Sequence, residues 1–418
     1  MRLQLRGALV LASAAAVLLA GPGPVRAEGD ASARMTVFRE SSKLKGNDGI
    51  TVFHPQVDAS GTLGSSLQVT AGWNADIVSG ATPAVYGPVT GPDAISSATR
   101  FTDTRNAAHG GFDYMSGTVS LSAAYEYAQE SDYKSHAVSV GARGDLFDRN
   151  LTLALAYTHN FDSVCNNNNT NVQGPLDLKP LPTSKHCFQN QPDVVTEPLD
   201  IDTLEPSLTW TATPRLLLQG GGTIQILDGF QSNPYRSVLV GNQHRTPQEN
   251  EPRYRQRYAA FLRTAYALPA LRASLSLMGR AYRDSWDVRA GTGEIDFQKY
   301  LATFLLLRVR GRYHQQTGAV FFRTGDEYRS KGPAGQYWSG DRELSPMHTI
   351  LFGGKLSYLQ AAQQGQALLA VFNELELALK FDYLIYGLDS TCPVGTDCGP
   401  NGDRDHAVLL QVAFALKF

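Results

Sequence analysis

The chain is poor in several things that would point elsewhere. Of 418 residues only four are cysteine, four tryptophan and five methionine, and formal charge nearly cancels at −2. A balance so close to neutral gives the chain as a whole no pull toward phosphate, and no nucleic-acid partner is expected. Beyond Ala27 there is no uninterrupted apolar run of the ~20 residues that a membrane-spanning helix requires. Enzyme signatures are also missing: there is no G-x-S-x-G elbow and no H-E-x-x-H zinc helix. Gly220-Gly221-Gly222 lacks dinucleotide spacing and lies inside a strand pattern, where a close-packed or kinked sheet accounts for it. The chain is read as non-enzymatic, with no cofactor and no metal.

What is present is alternation. In "HAVLLQVAFALKF", His406 to Phe418, the even positions Val408, Leu410, Val412, Phe414, Leu416 and Phe418 are all apolar, while the odd ones are mixed. A period of two is that of an extended strand, whose successive side chains point to opposite faces. A soluble protein that ended a sheet this way would expose an apolar edge. Phe414, Leu416 and Phe418 are therefore read as the signature of a closing strand in an outer-membrane barrel. The opposite end agrees. Arg2 and Arg6, an uncharged run from Gly7 to Leu19 and Val25-Arg26-Ala27 form a secretory signal peptide over residues 1–27. An exported chain without spanning helices can enter a bilayer only as a closed barrel, the other structure that satisfies every backbone group in lipid.

From about Ser65 the chain breaks into alternating segments separated by short links near Asp145, Thr211, Leu268 and Gln360, and by long polar stretches. The long stretches are Ser79 to Thr99, Ser163 to Asp200, Gly229 to Pro252, Thr324 to Pro346 and Leu388 to Asp405. Tight turns on one side and long loops on the other are the topology of an outer-membrane barrel. The predicted fold is all-β: a transmembrane antiparallel β-barrel of about 14 strands, range 12 to 16, with short periplasmic turns and long extracellular loops, over residues 65–418. Residues 28–64 are read as a periplasmic segment or an extra strand pair. Aromatics such as Tyr125, Tyr157, Trp210, Tyr258, Tyr282 and Trp286 fall toward strand ends, where an amphipathic ring suits the headgroup level.

Several phrases resemble the bacterial domain-of-unknown-function 3570 family, predicted outer-membrane barrels: "ADIVSGATP" (75–83), "FTDTR" (101–105), "ESDYKSH" (130–136), "DGFQSNPYRSV" (228–238), "YRDSWDV" (282–288) and "GRYHQQTGAVFF" (311–322). The resemblance implies fold and location and carries no established activity.

The cysteines form two local pairs, Cys165 with Cys187 and Cys392 with Cys398, in the least strand-like stretches, and are read as disulfide staples of loops in an oxidising compartment. Asp389, Asp397, Asp403 and Asp405 stand among glycines, but not at EF-hand spacing, so that loop is read as solvated and disulfide-pinned. The "NNNNT" run at Asn166 is read as a loop tip.

One constellation is functional in character. Between Arg253 and Arg323 there are 13 Lys and Arg against Asp284, Asp287, Glu294 and Asp296. Arg253, Arg255 and Arg257 share one face, as do Arg308, Arg310 and Arg312. An Arg on the lipid face near the midplane costs roughly 2–4 kcal/mol, so both rows are expected to point into the lumen or lie beyond the bilayer. A wall of this kind favours anions in a pore. The alternative is that the rows pair with Asp76, Asp103, Glu126, Glu374 or Asp382 across a plugged interior. Two expectations follow: a porin-like channel for small polar or anionic solutes, or a non-conducting structural and assembly partner for a secreted or periplasmic redox protein. Either would contact outer-membrane lipid and the barrel-assembly machinery.

Overall fold

A computed structural model describes residues 28–41, 50–80, 101–167, 188, 194–233, 238, 247–323, 325–333, 335–361, 373–388 and 404–418. The signal peptide, Cys187, Cys392, Cys398, the tip of the Asn166 run and most of the Asp389–Asp405 loop lie outside the described residues.

Sixteen strands follow in order. The first four are β1 (Gly29–Ser41), β2 (Ile50–Leu63), β3 (Leu67–Gly80) and β4 (Phe101–Ser116). Next come β5 (Val119–Gln129), β6 (Tyr133–Leu146), β7 (Leu151–Asn167) and β8 (Val194–Thr213). Then follow β9 (Leu216–Gly229), β10 (Tyr254–Leu268), β11 (Ala273–Asp284) and β12 (Arg289–Ala302). The last are β13 (Leu305–Gln316), β14 (Met347–Ala361), β15 (Glu374–Leu388) and β16 (Arg404–Lys417). Each pairs antiparallel with its sequence neighbours, and β1 pairs with β16, so the sheet is a closed barrel. Closure removes both edges.

Each of the fourteen expected segments contains a strand in its described part, and residues 28–64 supply β1 and β2, which bring the number to sixteen. The apolar run "IDFQKYLATFLL" is not one strand: a turn at Thr303-Phe304 divides β12 from β13. The links after β2, β4, β6, β8, β10 and β12 are short and share one side of the barrel. The stretches 81–100, 168–193, 230–253, 317–346 and 389–403 all lie on the other. That second side also carries two tight connections, 130–132 and 285–288.

The period-two pattern sorts side chains as the sequence requires. In β16 Leu410, Val412 and Phe414 are exposed on the outside, whereas Gln411 points inward and donates to Thr36 Oγ1 at 2.9 Å. On the barrel exterior Met35, Leu379 and Val412 form a continuous row across β1, β16 and β15. An apolar belt around a closed sheet with a polar interior is a transmembrane barrel. Tyr125, Tyr157, Trp210 and Tyr258 are exposed on that belt as expected. Trp286 and Tyr282 are not: Trp286 is buried at the β11–β12 hairpin and Tyr282 points inward, because both serve a packed hairpin core.

Among the close approaches that need glycine, two mark the wall and the seam of the barrel. A Cβ on Gly221 would stand 2.6 Å from the Phe261 ring, which lies across it from β10. The Gly220–Gly222 run is thus a close-packed stretch of wall, where an aromatic covers a bare backbone. A Cβ on Gly29 would meet the Phe418 ring at 2.7 Å, at the seam where Phe418 and Gly29 exchange backbone hydrogen bonds.

Candidate functional site

In β10 the even positions Tyr254, Tyr258, Leu262 and Tyr266 face outward, so Arg255, Arg257 and Arg263 face the lumen. In β13 Val309 and Tyr313 face outward, which turns Arg308, Arg310 and Arg312 inward. Both rows therefore point away from lipid, with one exception at the rim. Arg253 precedes β10, is half exposed, and pairs with Glu197 at 2.9 Å outside the central cavity.

The remaining five divide into two groups. Arg255 is buried against Asp284, with Nε to Oδ2 at 3.0 Å, and its guanidinium sits 4.0 Å from the Trp286 ring centroid. Arg308 pairs with Asp296 of β12. Arg310 reaches across β14 to Asp382 of β15 through Nε at 3.1 Å and Nη2 at 2.6 Å, and Lys380 adds a third contact at 3.1 Å. These three cations are neutralised and structural. Arg257 instead takes only the amide oxygen of Gln225, at 3.1 Å, and its buried Nε has no hydrogen-bond partner. Arg312 forms no ion pair among the described residues, although Glu294 stands opposite it in register.

A further arginine joins this unpaired set. Arg280 of β11 faces the lumen in phase with Tyr282 and Asp284 and has no ion pair among the described residues. Just below, Arg263 donates to Ser276 Oγ at 2.9 Å. Neither residue stands out as a clustered charge in the sequence. The signal that finds them is phase: Arg263 shares the odd positions of Arg255 and Arg257. Arg257, Arg280 and Arg312 line one wall of a 990 Å³ cavity, with His314, Thr292 and Gln316 beside them.

The cavity has a built roof. The stretches 230–253 and 317–346 dock on each other through an antiparallel bridge between Asn250 and Trp338, with backbone bonds of 3.0 and 2.9 Å. Trp338 Nε1 donates to the Gln248 carbonyl at 2.8 Å. Ser339 Oγ donates to Glu251 Oε1 at 2.7 Å, and the Gly340 amide donates to Glu249 Oε1 at 2.6 Å. A short helix, α1 (Gly325–Lys331), presents Tyr328, which is fully buried. Its hydroxyl lies 3.1 Å from the Phe321 and Ser339 carbonyls, and burial pushes its pKa up to about 12. Trp286 and Val288 on the β11–β12 hairpin pack with Ala319, Phe321 and Leu344 and anchor the roof to the barrel. Sequence reading treats these stretches as loops, because their buried residues follow neither strand nor helix period.

The wall of β2–β5 has the opposite character. Asp76 binds His54 at 2.7 Å and Arg105 at 3.5 Å, and Arg105 also reaches Glu126 at 3.3 Å. Asp58 takes His109 at 3.4 Å and Arg34 of β1 at 3.9 Å. Of the acids expected to neutralise the arginine rows, only Asp382 does so: Asp76 and Glu126 serve Arg105, and Glu374 pairs with Lys417 at 2.6 Å. The Asp103 side chain lies outside the described residues.

With this fold and interior, the class is that of a transmembrane β-barrel of the outer-membrane type. The family described as "Protein of unknown function (DUF3570)" matches residues 7–373, and the chain belongs to it. No curated protein matches. Similar solved structures include a bacterial polysaccharide outer membrane secretin, with 9% identity, 93% of this chain and 98% of that one covered, and a TM-score of 0.44. OccD3 (OpdP) of Pseudomonas aeruginosa has 9% identity, with 94% and 92% covered and a TM-score of 0.42. The siderophore receptor PirA of Acinetobacter baumannii has 10% identity and a TM-score of 0.43; 87% of this chain covers 54% of that one.

Proposed function

We propose that this barrel is a channel for small polar or anionic solutes in the outer membrane of a Gram-negative bacterium, reached by way of the N-terminal signal peptide. The supporting observation is selective pairing. On one wall Arg255, Arg308 and Arg310 each hold a carboxylate, whereas Arg257, Arg280 and Arg312 face the cavity without one among the described residues. Unpaired guanidinium groups in a lumen are suited to a passing anion. A barrel of 16 strands also has the girth that leaves an aqueous interior.

The test is the reversal potential of single channels in a planar bilayer under a salt gradient. The protein as it stands should prefer chloride to potassium. The double variant Arg280→Gln, Arg312→Gln should lower that permeability ratio by about fivefold, the worth of roughly 1 kcal/mol of charge interaction in water. Arg255 and Arg310 are unsuitable targets, since each is a principal cation on a buried carboxylate, Asp284 and Asp382 respectively. Absence of conductance steps from folded protein would reject the channel and favour the structural role, in which the barrel serves as assembly partner to a secreted or periplasmic redox protein.

The loop staples belong to the same reading of an exported chain. Cys165, two residues before the end of β7, is fully buried, and its neighbour Asn166 accepts from Gln248 of the roof at 3.3 Å. A Cys165–Cys187 disulfide there would close the residues between them into a covalent loop. Non-reducing peptide mapping should recover the Cys165–Cys187 and Cys392–Cys398 cross-links; free thiols at all four positions would contradict them.

A further inference from the structure

Two charged walls stand opposite one another. The ring contains sixteen strands, so β2–β5 lie eight strands from β10–β13 in either direction, halfway around the barrel. Seven arginines face inward on β10–β13, at 255, 257, 263, 280, 308, 310 and 312, against Asp284, Glu294 and Asp296. On β2–β5 the described inward charges are Asp58, Asp76, Asp113 and Glu126 against Arg105, with His54 and His109 on Asp76 and Asp58. One side is net positive and the other net negative.

The two sets fall at matching counts from the long-loop ends of their strands. Arg280 and Arg312 are each the fifth residue in from the long-loop end of β11 and β13. Asp76 is the fifth from that end of β3, and His54 and Arg105 hold the same position in β2 and β4. Glu126 is the fourth from that end of β5. Opposite charges on facing walls create a field with a component across the lumen, and low-dielectric walls focus that field.

We infer that the channel is selective for dipolar solutes: small molecules carrying a carboxylate and an ammonium group, of the zwitterionic amino acid and short peptide class. A transverse field exerts a torque on such a molecule and lowers its energy once the carboxylate turns to Arg257, Arg280 and Arg312 and the ammonium to the opposite wall, where Asp58, Asp76, Asp113 and Glu126 outnumber Arg105. A singly charged molecule of the same length satisfies one wall and is repelled by the other. This inference rests on the channel reading above and adds the solute class to it.

Efflux from proteoliposomes clamped at zero membrane potential separates the two. The probes are triglycine, N-acetyl-triglycine and triglycinamide, which are zwitterion, anion and cation of nearly one size. Triglycine should leave about fivefold faster than either derivative, the effect of one extra charge contact in a high-dielectric lumen. Arg280→Gln with Arg312→Gln should abolish the preference over triglycinamide, and Asp76→Asn with Glu126→Gln the preference over N-acetyl-triglycine. The amide variants remove the charge and leave a polar side chain in each place, and the wild-type comparison stands without them. Equal efflux of all three probes through wild-type protein would overturn the dipole selectivity and leave a channel. No efflux of any probe would remove the channel, and the solute class with it.

Discussion

Replacing Asp284 by Asn should destabilise the barrel by about 3–5 kcal/mol, the cost of breaking a buried ion pair from one side. Asp284 sits at the end of β11 with its side chain wholly inaccessible. One oxygen accepts the Trp286 and Val288 amides at 3.0 and 2.9 Å and so closes the β11–β12 hairpin. The other accepts from Arg255 and, at 2.8 Å, from the Tyr282 hydroxyl. Without the charge, Arg255 is left buried against the Trp286 ring, and the hairpin that anchors the roof loses its organising acceptor. Unfolding in urea, followed by loss of the heat-modifiable gel mobility of the folded barrel, gives the free energy. Arg289→Gln is the control, since its pair with Asp287 is exposed and should be worth under about 1 kcal/mol. Equal stability of the two variants would show that Asp284 is not the hub described.

Val412→Arg should cost roughly 2–4 kcal/mol, as a charge facing hydrocarbon near the bilayer midplane does. Val412 lies midway along β16, is 54% exposed on the outer belt, and stands between Met35 and Leu379. Its neighbour Gln411 faces the lumen and Thr36. Gln411→Arg should therefore change stability by under about 1 kcal/mol, in the range of ordinary polar substitutions. Refolding titrations into phospholipid vesicles would measure both. If the two substitutions cost the same, the faces have been assigned wrongly and the membrane orientation falls.

Much of this architecture is legible in the residues because one constraint governs each strand. Even positions of β16 from Val408 onward are apolar since they face lipid, and the same rule turns Arg308, Arg310 and Arg312 inward without any knowledge of their partners. The limits are equally physical. The turn at Thr303-Phe304 is hidden in "LATFLLL", because an apolar turn at the membrane interface looks like more strand. β1 and β2 are hard to assign because their alternation is diluted: Pro55 cannot donate to the ladder, and the β2–β3 register skips His54 and Pro55. Which arginines would be neutralised is a matter of neighbours several strands away, such as Asp382 for Arg310, and no local pattern encodes that. The roof is illegible for the same reason, since Glu249, Glu251, Tyr328 and Trp338 come together from segments about 90 residues apart.

The β1–β16 seam has a bearing on how the protein is made. Fifteen of the sixteen strand pairings join neighbours in sequence and can zip as hairpins, whereas the remaining one unites the two most distant strands. Loop-closure entropy places that pairing late, and until it forms, both margins of an almost finished sheet offer free amides and carbonyls to any passing strand. Biogenesis then becomes a race between cyclisation and adventitious polymerisation, decided at Gly29 and Phe418.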